Sequence, residues 1–110
     1  MSLAAIDDVL STSAEADEAL RAVVAVLASE PAVAWAGIAF AEQGDLVLGP
    51  TAGTPNAERR RLATVRYQGR TVGELRVDGD ADQAFLDAVA DRISAHVLLG
   101  WDTSGETWDP

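Results

Sequence analysis

Three consecutive arginines, Arg59, Arg60 and Arg61, form the densest cationic cluster of the chain. Together with Arg66 and Arg76 they carry the charge to hold a small anionic or amino-acid-like ligand above a sheet, and Trp35 is available as an aromatic wall of such a site. A competing reading is a solvated loop whose arginines pair with carboxylates. Carboxylates are in excess, 18 Asp and Glu against 8 Lys and Arg, and surface ion pairs of this kind are common and contribute little. Trp35 lies in an apolar stretch, which favours a core position over a pocket wall. His96 is the sole histidine. A general base or metal ligand needs convergent partners, and no second histidine, cysteine or paired acid stands at ligand spacing, so His96 reads as a boundary or interface residue. The acids group at Asp7-Asp8, Asp78-x-Asp80-x-Asp82 and Asp87. The run DGDAD lacks the spaced ligands and distal glutamate of a calcium loop, and a helix cap with first-turn acids accounts for it. The chain has no cysteine, which excludes disulfides, thiolate chemistry and cysteine-ligated metals. No catalytic residue, metal or cofactor is predicted.

These residues must be positioned by helices and strands that the periodicity outlines. Leu3 to Leu10 predicts a short helix with Leu3, Ile6 and Leu10 on one side, interrupted by Ser11-Thr12-Ser13. Thr12-x-x-Glu15 has capping-box spacing and predicts a second helix, with Ala16, Leu20, Val23, Val24 and Leu27 in one stripe and Pro31 beyond its end. Val33 to Phe40 is apolar on both parities, as a strand covered on both faces and central in a sheet would be. Gln43-Gly44-Asp45 reads as a turn and Leu46 to Gly49 as the returning strand. Pro50 to Arg61 lacks periodicity and reads as a loop. Leu62 to Tyr67, Gln68-Gly69-Arg70 and Thr71 to Asp78 read as a second hairpin. Ala63, Val65, Tyr67, Gly73, Leu75 and Val77 share its dry face, and Thr64, Arg66, Glu74 and Arg76 its wet one, with Val72 the exception. Asp80-x-x-Gln83 predicts the start of a last helix with Phe85, Leu86, Val89, Ile93 and Val97 in its stripe, stopped by Gly100. The fold class predicted is α+β, a four-stranded antiparallel sheet with the N- and C-terminal helices on one face. Residues 1–100 form the domain and 101–110 a polar tail, where Trp101 packs on the domain or, with Trp108, clamps a partner.

At 110 residues the chain suits one domain with a single core, and 48% hydrophobic content fits a folded globule. The net charge of −10 opposes partners bound through phosphates, so neither nucleic acid nor an anionic membrane is expected. No apolar run reaches membrane-spanning length, and the opening MSLAAIDDVL is acidic where a secretory signal would be basic; cytoplasmic residence is the default. All cations are arginine. A GC-rich coding bias explains this together with the abundant alanine; adaptation to a salty cytoplasm is the other explanation.

Two blocks carry a resemblance. In the first, Trp35, Gly37 and Phe40 are followed by Leu46-Val47-Leu48-Gly49-Pro50, Gly53 and Pro55. In the second, Tyr67 to Val97, the residues Gly69, Arg70, Gly73, Leu75 and Asp78 fit a Gly-Arg-x-x-Gly-x-Leu-x-x-Asp pattern. In this order, with helices at both ends, the chain resembles a GAF domain, particularly of the free methionine-(R)-sulfoxide reductase branch. The resemblance implies a ligand-binding or regulatory domain and a homodimer formed through the terminal helices. In that branch a catalytic cysteine follows the first block; here stands Pro55-Asn56-Ala57-Glu58, so the expectation is a non-catalytic relative. In that family the segment between the blocks folds over the sheet and encloses the ligand, whereas here only Thr51 to Arg61 takes its place, too little to wall a closed pocket. Two other classes compete: an interaction scaffold of the roadblock or longin type, and a small-molecule enzyme using arginines and carboxylates in a shallow site.

Overall fold

The two hairpins predicted from the sequence form, and they join through their inner strands. In the computed structural model, which describes residues 3–12, 15–42 and 44–108 with side chains as far as Leu98, the chain folds as α1 (Leu3–Thr12), α2 (Ala16–Ala28), β1 (Val33–Glu42), β2 (Asp45–Gly53), a 3-10 turn (Ala57–Arg59), β3 (Arg60–Tyr67), β4 (Arg70–Gly79) and α3 (Gln83–Trp108). The sheet is antiparallel with strand order β2-β1-β4-β3, so the architecture is α+β, as expected. Helix α2 packs over β1 and β2, α3 over β3 and β4, and α1 rests on both helices. The apolar strand Val33–Phe40 does lie in the middle of the sheet, where neither edge is free; helices cover one of its faces, while on the other Trp35, Gly37 and Ala39 are buried by side chains of the sheet itself.

The core lies between sheet and helices. Ala36, Ile38, Leu75, Val77, Ala63 and Val65 rise from the sheet, and the α2 and α3 stripes meet them through Leu20, Val23, Val24, Leu27, Leu86, Val89, Ile93 and Val97. All of these side chains are buried within the single chain. The second hairpin closes on Gln68 and Gly69, both at positive φ (51° and 83°), the two-residue turn whose twist matches that of the strands. Its β3–β4 register slips by one residue between Val65 and Arg66. The slip leaves Val72 as the extra residue of a bulge, half-buried against the core, which is why it breaks the wet-face alternation.

Several boundaries differ from the sequence prediction. Strand β2 does not stop at Gly49 but runs through Pro50 to Gly53, and β3 begins at Arg60. Proline is tolerated because β2 is an edge strand and a bulge facing Ile38 accommodates Gly49 and Pro50. The Thr12–Glu15 capping box does not form. Thr12 ends α1 and its hydroxyl donates to the Asp8 carbonyl (2.9 Å), while Glu15 precedes α2 without a side-chain cap. The cap of α3 is Asp82, whose Oδ2 accepts from the Phe85 N–H (3.3 Å), rather than Asp80. Helix α3 continues past Gly100 to Trp108. A glycine within a helix costs only about 1 kcal/mol relative to alanine, which does not suffice to end it. The side-chain roles considered for Trp101 and Trp108 lie outside the described residues.

Candidate functional site

The sheet face turned away from the helices is where the candidate residues gather, and the register sets them in rows. Along the first row stand Gly53, Trp35, Asp78 and Arg60; along the second Thr51, Gly37, Arg76 and Leu62; along the third Leu48, Ala39, Glu74 and Thr64. Because alternate residues of a strand share a face, Glu74, Arg76 and Asp78 form a charged stripe down β4 with apolar β1 beside it.

Arg60 and Asp78 are cross-strand partners and make the strongest contact of the face. Arg60 Nε donates to Asp78 Oδ1 (2.7 Å) and Nη2 to Oδ2 (2.9 Å), a two-bond pairing of guanidinium and carboxylate. The Asn56 backbone N–H donates to the same Oδ2 (2.7 Å), so one carboxylate ties the loop after β2 to two strands. Asp78 is fully buried, and burial alone would raise its pKa. The Arg60 hydrogen bonds outweigh this, and with the Asn56 N–H they hold the carboxyl below the ordinary carboxylate range. The Arg60 guanidinium also lies 4.6 Å from the Trp35 ring centroid, within cation–π range. That ring in turn lies over Gly37: a Cβ at Gly37 would sit 2.5 Å from Trp35 Cη2. Gly37 is thus the space that lets an indole lie flat on the sheet, and Trp35 is buried there under Arg60 without any covering segment.

The five candidate arginines do not converge. Arg59 pairs with Asp80 at an exposed position. Arg60 is committed to Asp78, and Arg76 Nε donates to Glu74 Oε1 (2.7 Å) two residues along its own strand. Arg61 alternates to the other face, beside Val77, and is exposed. Arg66 lies at the far end of β3 beside an open groove of about 430 Å³ whose lining includes Leu62, Thr64, Asp87 and Asp91. Neither Arg61 nor Arg66 makes an ion pair among the described residues. The groove follows the outer edge of β3 rather than the centre of the sheet. Thr64 and Arg66 are exposed and Glu74 and Arg76 half-buried, so no closed cavity covers these four.

Asp78, Glu74 and Asp87 neutralise or flank the candidate cations, and sequence reasoning assigned them no such role. The signal for the first two was the alternation Glu74-Arg76-Asp78 within a strand; the partner of Asp78 was hidden because Arg60 was placed in a loop. The DGDAD acids divide between three tasks: Asp78 anchors Arg60, Asp80 meets Arg59, and only Asp82 caps the helix. His96 is half-buried on α3, with Nδ1 buried and lacking a hydrogen-bond partner among the described residues. No group of three or more potential metal ligands occurs among the described residues.

No protein-family profile matches the chain, and no curated protein does. Solved structures do. The GAF domain of the Acinetobacter phosphoenolpyruvate-protein phosphotransferase superposes with a TM-score of 0.74 at 15% identity, over 96% of this chain and 99% of that one. The free methionine-R-sulfoxide reductase of Staphylococcus aureus, solved in complex with substrate, gives 0.67 at 16% identity, over 84% and 90%. The type II free methionine-R-sulfoxide reductase of Thermoplasma acidophilum gives 0.62 at 20% identity, over 74% and 92%. At these identities the likeness is one of fold.

Proposed function

From the premise that the chain has a GAF-like fold, we propose that it is a non-catalytic regulatory domain that works by association rather than by turnover. The observation that carries this reading is the state of the outer face. It is unroofed, and Arg60, Arg76 and Arg59 are already neutralised by Asp78, Glu74 and Asp80. A small anion would have to displace a buried carboxylate to reach Arg60, and a buried pair is costly to break. Two of the similar structures are reductases of free methionine-R-sulfoxide. Reduction of a sulfoxide through a protein thiolate requires a cysteine that attacks sulfur and is then released as a disulfide, and this chain has none. No serine or carboxylate replaces that step, because neither can be released as a disulfide and reduced again.

A second reading, an interaction scaffold, is favoured by the placement of Leu46, Leu48 and Leu62, which are exposed on the same open face. It differs in partner, not in chemistry. A cytoplasmic setting goes with both readings, and among the described residues no helix is long and apolar enough to cross a membrane.

Incubation of the pure protein with methionine-(R)-sulfoxide and a thiol reductant tests the non-catalytic claim. The expected result is no methionine above the protein-free control. Methionine released in stoichiometric excess over the protein would overturn the proposal. A parallel thermal-shift panel of nucleotides, methionine derivatives and small anions is expected to leave the melting temperature unchanged.

A further inference from the structure

We propose that the groove between β3 and α3 receives an extended segment of a different protein, which adds antiparallel to β3 and sets basic side chains at alternate positions against Asp87 and Asp91. This rests on the reading that the domain works by association, and it names the edge used and the chemistry of the partner.

The large apolar side chains left exposed, Leu46, Val47, Leu48 and Leu62, all stand on the two edge strands, and the edges are not equivalent. Strand β2 is interrupted by a bulge at Gly49 and Pro50, which removes a donor and bends the edge away from a further strand. Strand β3 has neither proline nor glycine, and the bulge opposite Val65 lies on β4, so the β3 backbone alternates without a break. Two observations fix which of its groups point out of the sheet. The two-residue turn makes Tyr67 and Arg70 the closing hydrogen-bonded pair, so the Arg66 N–H and C=O point outward. Alternation turns Thr64 and Leu62 outward as well, and the Leu62 carbonyl accepts from Gln83 Nε2 (2.9 Å). That side-chain amide stands where the N–H of a further strand would be, which marks an acceptor that the sheet itself leaves unsatisfied.

The groove, about 430 Å³ and open, specifies its occupant position by position. Gln83 also donates to Asp87 Oδ1 (3.0 Å), so Asp87 stands beside the Leu62 end of β3, and Asp91 follows one helical turn on. Both acids are exposed and make no ion pair among the described residues. Ala63 and Val65 turn to the α3 side of the sheet, whereas Leu62, Thr64 and Arg66 turn to the outer face. In an antiparallel addition the incoming residues opposite Val65 and Ala63 therefore point to the α3 side, toward Asp91 and Asp87, and basic residues belong there. Those opposite Arg66, Thr64 and Leu62 lie on the outer face, where an acid, a threonine and an apolar residue match. The net charge of −10 draws a basic segment in and opposes an acidic one.

The probe is the acetylated and amidated peptide Ser-Glu-Lys-Thr-Lys-Leu-Ser, titrated into the isotope-labelled full chain and followed by amide NMR shifts. Saturable shifts centred on Leu62, Thr64 and Arg66 are expected. The peptide threonine exchanges both backbone hydrogen bonds with Thr64, and its N-methylation is expected to weaken binding about tenfold or more. The lysine N–H groups point away from β3, and N-methylation of either is expected to change binding by less than about threefold. These changes sit on the peptide, so the fold of the protein is not at stake. Asp87→Lys and Asp91→Lys are each expected to weaken binding about threefold or more. Absence of saturable shifts, equal effects of methylation at both kinds of position, or equal binding of a peptide with glutamates for lysines overturns the proposal. So do shifts at Leu62–Arg66 that grow with protein concentration in the absence of peptide, which put a second copy on this edge. Failure with a chain that self-associates through another surface leaves the association reading standing. Failure with a chain that is monomeric throughout overturns both.

Discussion

Asp78 is the residue on which the outer face turns. A fully buried carboxylate holding a guanidinium and a loop N–H organises three segments at once. Asp78→Asn leaves Arg60 short of its counter-charge and is expected to destabilise the fold by about 2–3 kcal/mol, read from urea unfolding. The effect has a pH signature. Because the folded pKa is depressed, the contribution is present above the ordinary carboxylate value of 3.8 and lost as pH falls through the lower folded value. The stability gap between parent and Asp78→Asn is therefore expected to be full above about pH 5 and to close in stronger acid. A gap that persists unchanged below pH 3 would show that the carboxylate charge is not its source. The residue types of this cluster were visible in the chain, and so was the choice between pocket and core for Trp35. The pairing was not, because with Arg60 and Arg61 assigned to the loop nothing fixes which face the Arg60 side chain occupies.

At the scale of elements, the strongly periodic segments were legible and the irregular ones were not. The α2 and α3 stripes, the doubly apolar β1 and the Gln68-Gly69 turn follow from patterns that burial and backbone geometry enforce. The end of β2 and the start of α2 depend on what lies alongside: an edge position that tolerates Pro50, and a threonine that bonds back to Asp8 instead of capping forward. Position in the sheet should accordingly separate two substitutions that are chemically the same. Leu75 is fully buried at the centre of β4, and Leu75→Ala is expected to cost about 3 kcal/mol. Leu48 is 50% exposed on the β2 edge, and Leu48→Ala is expected to cost less than about 1 kcal/mol. Equal costs in urea unfolding would contradict the assignment of β2 to an edge.

For the whole molecule, the two features that weigh most are an absent residue and an unroofed sheet. Without cysteine the chain has no thiolate to act as a nucleophile. Without a covering segment, the outer face is an open surface rather than an enclosure, which is what the proposed role in association draws on. The resemblance of fold was legible from two short blocks of glycines and apolar residues, because these mark turns and close approaches that the fold requires. The edge by which a partner would be met was not, since it depends on which strands the sheet leaves outermost. Light scattering of the purified chain at micromolar concentration addresses the association claim most directly. A mass of twice 11.5 kDa is the predicted result; a single species at 11.5 kDa would contradict it.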